Sequence, residues 1–102
     1  MLTPSPEEYD FYLAEAKRAG LVRSRWRGGY KPTRKGRLYL WDAEQRNDDL
    51  RAEVSAAMEQ WTSRAMTKAD RDESFAVLVV LAWKLDREGE AEALAELRLP
   101  GP

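Results

Sequence analysis

Apolar residues recur every three or four positions along most of the chain, the spacing that places them on one face of an α-helix. Ser5 precedes the first periodic stretch and Gly20 follows it, which are typical helix start and stop signals. The spacing predicts helix one over 6–19, a helix over about 43–65, a helix from Thr67 to near Gly89 and a short last helix over 91–97. Asp42, with Gln45 three residues later, fits the start of the second of these helices. The β-branched patch Val77–Leu81 also fits a buried strand, but its capped start and charged flanks favour a helix buried on most sides.

Residues 21–41 begin with a period of two instead of a helical one. Arginine alternates with other residues over 22–27, which predicts a strand whose basic row faces solvent and whose Trp26 packs inward. The pair Gly28-Gly29 tolerates positive φ angles and predicts a turn, after which 30–32 return as a short strand. These features predict a basic β-hairpin.

The stretches that follow the hairpin fit more than one structure. Residues 33–36 form either a second turn or a helix cap, and residues 37–41 fit a strand by alternation and a helix by continuation. The combined pattern predicts an α+β, mainly helical fold with one basic β-hairpin and three to four helices. The length of 102 residues predicts a single domain over 1–102, made of helix 6–19, hairpin 21–41 and a helical part over 43–98.

The tryptophans are the bulkiest candidates for the core. Trp61 and Trp83 fall on apolar faces of predicted helices and are expected to pack inside. Trp26 and Trp41 are expected to pack inside as well, whereas Tyr30, beside the glycine turn, is expected to be exposed.

Charge is distributed unevenly, although the net formal charge is only −1. Residues 1–15 carry acids and no base, and residues 42–102 carry more acids than bases. Residues 16–41 carry nine bases and no acid: Lys17, Arg18, Arg23, Arg25, Arg27, Lys31, Arg34, Lys35 and Arg37. This asymmetry predicts a local positive field on a molecule that is nearly neutral.

The residue types present exclude several kinds of chemistry. The chain has no Cys and no His, so it has no disulfide, no thiolate or imidazole metal ligand and no standard nucleophilic triad. No carboxylate series follows the spacing of a calcium loop, and Gly28-Gly29 is too short to cradle a phosphate cofactor. The prediction is therefore no enzyme, with no catalytic, cofactor or metal site. The longest apolar run, Phe75–Trp83, is too short to cross a membrane, and the acidic start lacks a signal-peptide pattern, so a cytoplasmic protein without membrane contact is expected.

The sequence around the predicted hairpin follows an order found in a known protein family. Ala19-Gly20-Leu21-Val22 ends the first helix, the basic glycine hairpin follows, and the chain continues as Tyr30-Lys31-Pro32-Thr33-Arg34-Lys35-Gly36-Arg37. Over about 9–41, this order resembles the recognition helix, wing and following helix of bacterial winged-helix domains. The resemblance implies that the helix contacts DNA through Lys17 and Arg18, and the wing through Arg23, Arg25, Arg27 and Lys31. The two helices that precede the recognition helix in that family have no counterpart in the matching segment, and helix one opens with acids, so contact with phosphates is implied instead of base-specific recognition.

The clustered bases predict a small non-enzymatic DNA-associated regulatory or accessory protein whose basic hairpin contacts phosphates. The candidate nucleic-acid-binding residues are Lys17, Arg18, Arg23, Arg25, Arg27, Tyr30, Lys31, Arg34, Lys35 and Arg37. The alternative is a protein–protein interaction module, such as an inhibitor, antitoxin or adaptor, that binds through its helical face while its arginines pair with its own acids. A homodimer fits either hypothesis, and the Ala-, Arg-, Glu- and Leu-rich composition suggests a bacterial or phage origin.

Overall fold

The secondary structure consists of helices arranged around one short antiparallel hairpin. The computed structural model describes residues 5–26 and 28–98. In chain order, its elements are α1 (Pro6–Arg18), β1 (Val22–Ser24), β2 (Tyr30–Pro32), α2 (Arg34–Arg46), α3 (Asp48–Ser63) and α4 (Lys68–Arg98). The predicted α+β, mainly helical fold with one hairpin is confirmed, with four helices in the described part of the chain.

Helix α1 starts and ends at the signals that its sequence carries. The Ser5 hydroxyl accepts the backbone amide three residues later at 3.3 Å, which caps the first turn. At the other end, Gly20 adopts a φ of 78°, and the amides of Gly20 and Leu21 donate to the carbonyls of Lys17 and Ala16. These two bonds form a Schellman cap, so the helix predicted over 6–19 agrees with the observed one to within a residue.

The helix predicted over 43–65 is wrong, because two helices meet at Asn47. The backbone of Asn47 is extended, and its side chain accepts the amide three residues on at 3.1 Å, so it caps α3. Helix α2 begins much earlier, after the cap residue Thr33, and residues 37–41 are helical. Asp42, expected to cap a helix, lies inside α2. Helical spacing continues across Asn47, so the apolar pattern alone did not reveal the break.

Helix α4 is one continuous helix, where a stop near Gly89 and a separate helix over 91–97 were predicted. A single glycine inside a helix costs about 1 kcal/mol relative to alanine. Strong helix formers flank Gly89 on both sides, so this cost does not end the helix. The patch Val77–Leu81 lies within α4, and the prediction of a helix buried on most sides is confirmed by the burial of Ala76 and of every residue over 78–82.

The hydrophobic core surrounds this central part of α4. The hairpin and the other three helices all pack against α4. Their buried apolar residues are Leu13, Ala16, Leu21, Val22, Leu40, Ala43, Leu50 and Val54. The described helices are therefore held together mainly by burial of apolar surface against one shared partner.

Two of the four tryptophans pack as predicted. Trp61 and Trp83 are half-buried against the core, and the Trp61 indole N–H donates to the Ser74 hydroxyl at 3.0 Å. Trp41 does not pack inside: it is 63% exposed, because Leu40 and Ala43 occupy the inward side of α2. The prediction of a core position for Trp41 is wrong.

The end of α1 is tied directly to the start of α2. The Thr33 hydroxyl donates to the Gly20 carbonyl at 2.5 Å, and the Lys35 ammonium donates to the Ala19 carbonyl at 2.8 Å. The Gly36 amide in turn donates to the Thr33 side-chain oxygen at 3.0 Å. Carbonyls that a helix end leaves without a partner are thus satisfied by residues of the next helix. Of the two structures that fit residues 33–36, the helix cap is the one formed.

Gly36 is the position where this junction is tightest, and it supplies a stability test. Replacing Gly36 with Ala is expected to lower the free energy of unfolding by about 1–3 kcal/mol, because the methyl group would overlap with the Leu21 carbonyl oxygen. Replacing Gly89 with Ala is expected to raise it by about 0.5–1 kcal/mol, because that site in α4 opens onto empty space. Urea unfolding measures both changes. A Gly36→Ala variant as stable as the parent would contradict the close approach.

Candidate nucleic-acid interface

The hairpin presents one apolar face and one charged face. Its strands pair antiparallel with Val22 opposite Pro32 and Arg23 opposite Lys31. Val22 and Pro32 are buried against the helices, so the adjacent pair points the other way and Arg23 is exposed. The glycine turn forms as predicted, with positive φ at both Gly28-Gly29 positions.

Two consecutive acids of α4 hold the turn end of the hairpin. The Asp72 carboxylate pairs with the Arg25 guanidinium at 3.3 Å, and the Glu73 carboxylate accepts the Tyr30 backbone amide at 2.6 Å. Burial, followed by the charge of Glu73, raises the pKa of Tyr9 in α1 above its usual value. We call Asp72 and Glu73 the acidic clamp. The clamp fixes both sides of the turn to the central helix.

The residues just beyond β1 do not follow the predicted alternation. Arg25 was expected to face solvent with the other arginines, but its side chain is partly buried and paired with Asp72. Trp26 was expected to pack inward, but it is 90% exposed. Both predictions fail for the same reason: β1 ends at Ser24, so a strand period does not apply to the residues beyond it.

Tyr30 also differs from its prediction. Its side chain is half-buried against the core instead of exposed. The Lys17 ammonium lies 5.3 Å from the centre of the Tyr30 ring, within the range of a cation–π contact. Tyr30 therefore packs the hairpin against the core, and the candidate cation Lys17 lies over its ring.

Four of the predicted cations line a single open groove between the hairpin and the start of α2. The groove has a volume of about 300 Å³, and Pro32 and Thr33 complete its walls. Its cations are Arg23, Lys31, Arg34 and Arg37. We call this feature the cationic groove. None of the four forms an ion pair with an acid in the part of the chain that the structure describes.

Two electrostatically unfavourable arrangements of charge occur at the cationic groove. Arg23 and Lys31 are directly opposed across the strands, and like charges in that position repel. The first turn of α2 carries three bases (over 34–37) and no acid, although the positive end of the helix dipole favours acids. By contrast, α1 has Glu7 and Glu8 in its first turn. A bound anion would relieve both conflicts at once.

The remaining candidate residues do not join the groove. Arg25 is held by the acidic clamp, Lys17 lies over Tyr30, and Lys35 caps the end of α1. Arg18 lines a separate recess on α1 and α4, together with Phe11 and Trp83 among others. Arg27 lies outside the described residues. The predicted cluster of nine bases is thus reduced, among the described residues, to a groove of four.

The acidic clamp is the part of the site that the sequence did not reveal. In the sequence, Asp72 and Glu73 belong to no motif that marks them as functional residues. Their partners lie more than forty positions earlier, and no local pattern links them. In the described part of the chain, no group of three or more acids is placed to hold a metal ion.

Comparisons with known proteins find no relative of this chain. The chain matches no protein-family model, no curated protein and no solved structure. Within the described residues, no helix combines the length and the apolar character needed to cross a membrane. Any functional conclusion therefore depends on the site itself.

The clamp gives a second test of the structure. Replacing Glu73 with Ala is expected to lower the free energy of unfolding by about 1.5–3 kcal/mol, because the Tyr30 amide loses a charged acceptor. Replacing Glu53, an exposed acid of α3, with Ala is the control and is expected to change it by less than about 0.5 kcal/mol. Chemical unfolding gives the free energies, and hydrogen exchange at the Tyr30 amide is expected to accelerate in the Glu73 variant only. Equal exchange in both variants would show that Glu73 does not hold the hairpin.

Proposed function

We propose that the protein is a small, non-enzymatic DNA-associated regulatory or accessory protein that contacts the phosphate backbone through the cationic groove. The observation that carries the proposal is the convergence of four cations from three elements, the two hairpin strands and α2, on one open surface. Arg23 and Lys31 come from the hairpin, and Arg34 and Arg37 come from α2.

The chemistry of the groove suits an anionic oxygen ligand such as phosphate. Guanidinium groups bind phosphate oxygens through paired hydrogen bonds, and the ammonium of Lys31 adds a point charge. The groove is open to solvent, so a segment of a polyanion can lie against its cations. Binding of this kind depends on charge and spacing and is largely independent of base sequence.

The positions of Lys17 and Arg18 exclude them from the proposed contact surface. The winged-helix resemblance implied contacts from Lys17 and Arg18 on α1, yet Lys17 covers Tyr30 and Arg18 lies in a different recess. The acids Glu7 and Glu8 at the start of α1 also oppose a phosphate chain there. The proposal therefore assigns the contact to the hairpin and the start of α2, and it assigns no base-reading role to α1.

Two charge-matched variants test this function. Changing Arg23, Lys31 and Arg34 to Gln is expected to weaken DNA binding at least tenfold, because phosphate contacts are lost. Changing Arg64, Lys68 and Arg71 to Gln removes the same charges from exposed positions away from the groove and is expected to leave binding nearly unchanged. Both variants keep Arg37, because its guanidinium lies 6.0 Å from the Phe75 ring centre and also contributes to packing.

Binding to labelled single-stranded and duplex DNA over a series of salt concentrations is the measurement. On duplex DNA each phosphate contact contributes about 0.9 to the salt slope, so the groove variant is expected to lose about 2–3 from the slope of the parent. Equal losses of affinity in both variants would point to net charge alone. Absence of salt-dependent binding in the parent would refute the proposal.

One observation favours a second function, that of a protein–protein interaction module. Leu38 and Trp41 lie three residues apart on α2 and are 59% and 63% exposed, so they form an apolar strip outside the groove. If this strip binds a protein partner, changing Leu38 and Trp41 to Ser is expected to abolish a capture from host lysate that nuclease does not remove. The groove variant is expected to keep that capture. Loss of capture after nuclease treatment would instead support the DNA function.

A further inference from the structure

Trp26 combines high exposure with a position beside the proposed binding surface. Its side chain is 90% exposed, more than any other large apolar residue described in the chain. It lies in the hairpin turn, just after β1 and before the two glycines. An indole in such a place contributes little to the core, and most of its surface is open to solvent.

A second recess connects Trp26 to the cationic groove. This recess has a volume of about 230 Å³ and is lined by Arg23, Ser24, Arg25, Trp26 and Lys31. Arg23 and Lys31 also line the cationic groove, so the two depressions share a wall. An extended ligand whose phosphates lie on Arg23 and Lys31 would therefore place its next groups against the indole of Trp26.

The backbone that carries Trp26 is held in place. The Arg25 amide donates to the Gly29 carbonyl at 2.9 Å, and the Gly28 amide donates to the Arg25 carbonyl at 3.2 Å. The Arg25 side chain is fixed to Asp72 in α4. The residue on one side of Trp26 is thus anchored three times, which reduces the conformational entropy that binding would cost at the turn.

We propose that the nucleic acid bound by the groove is single-stranded and that Trp26 stacks on one of its unpaired bases. This inference rests on the proposed DNA function and specifies the form of DNA. An exposed indole next to backbone-binding cations is the combination that binds unpaired strands, because every base offers a flat aromatic face. In a duplex the bases are already stacked on one another, and the indole could reach a base face only by separating two base pairs. An inward Trp26, as the alternation predicted, could not stack on a base, whereas the observed side chain is 90% exposed.

The test compares two exposed tryptophans on two forms of DNA. Labelled oligothymidylate is the single-stranded probe, and a mixed-sequence duplex of the same length is the double-stranded one. The parent is expected to bind oligothymidylate more tightly than the duplex. Trp26→Ala is expected to weaken binding to oligothymidylate about tenfold, and Trp26→Phe is expected to restore part of it because a ring is retained. Trp41→Ala, at an exposed site on α2 outside both recesses, is expected to bind like the parent.

A spectroscopic signal separates stacking from a general loss of affinity. A base stacked on an indole quenches its fluorescence, so saturating oligothymidylate is expected to quench the parent and Trp41→Phe. The Trp26→Phe variant is expected to bind with much less quenching. All variants are expected to unfold at the parent's urea concentration, since neither side chain is buried.

The outcomes distinguish this inference from the function on which it rests. If the duplex binds as tightly as oligothymidylate and Trp26→Ala changes neither, while the groove variant weakens both, the single-strand proposal is overturned and the DNA function stands. If Trp26→Ala weakens both probes equally, Trp26 acts as a wedge or a general contact, and the preference for single strands is also overturned. If neither probe binds to the parent, both proposals fail.

Discussion

Burial of the central turns of α4 is the interaction on which the remainder of the structure depends. The side chains over 78–82 are all buried, so apolar partners are needed around most of the helix circumference. The hairpin and α1, α2 and α3 supply those partners. A hairpin of two three-residue strands has little stability by itself. Here its buried pair Val22 and Pro32 joins a core that is centred on α4. Loss of packing around α4 would therefore unfold the candidate site together with the rest of the domain.

The cationic groove brings like charges close together, and the packing of the rest of the molecule holds them there. Arg23 opposes Lys31, and three bases crowd the positive end of α2. None of the described ion pairs neutralises Arg23, Lys31, Arg34 or Arg37. Natural proteins retain such violations mainly where function requires them. The acidic clamp at Asp72 and Glu73 holds the hairpin beside α2 despite this repulsion.

Local signals predicted the parts of the fold that depend on local chemistry. Ser5 and Gly20 mark the two ends of α1, and the glycine pair at 28–29 makes the hairpin turn. These features were predictable because helix caps and positive φ angles depend on residues only a few positions apart. Asn47 was missed as a break since apolar spacing continues through it. Gly89 was mistaken for a stop, since one unfavourable residue does not outweigh the helix formers around it.

The candidate site was predicted less completely than the fold, for a different reason. Clustering along the sequence identified all four groove cations, but it also included Arg25 and Lys35, whose charges serve the protein's own structure. Whether a basic side chain is already paired within the protein depends on partners distant in sequence, such as Asp72 for Arg25. The exposure of Trp26 was missed because the alternation was extended past the end of β1.

The close approach at Gly36 has a consequence for the shape of the cationic groove. The first turn of α2 touches the backbone of Leu21, just before β1, and Thr33 bonds the same segment. The backbone segments that carry Arg23 and Arg34 are thus held close together by main-chain contact. If the groove binds a polyanion as proposed, only its long cationic side chains can adjust to the spacing of the ligand's charges.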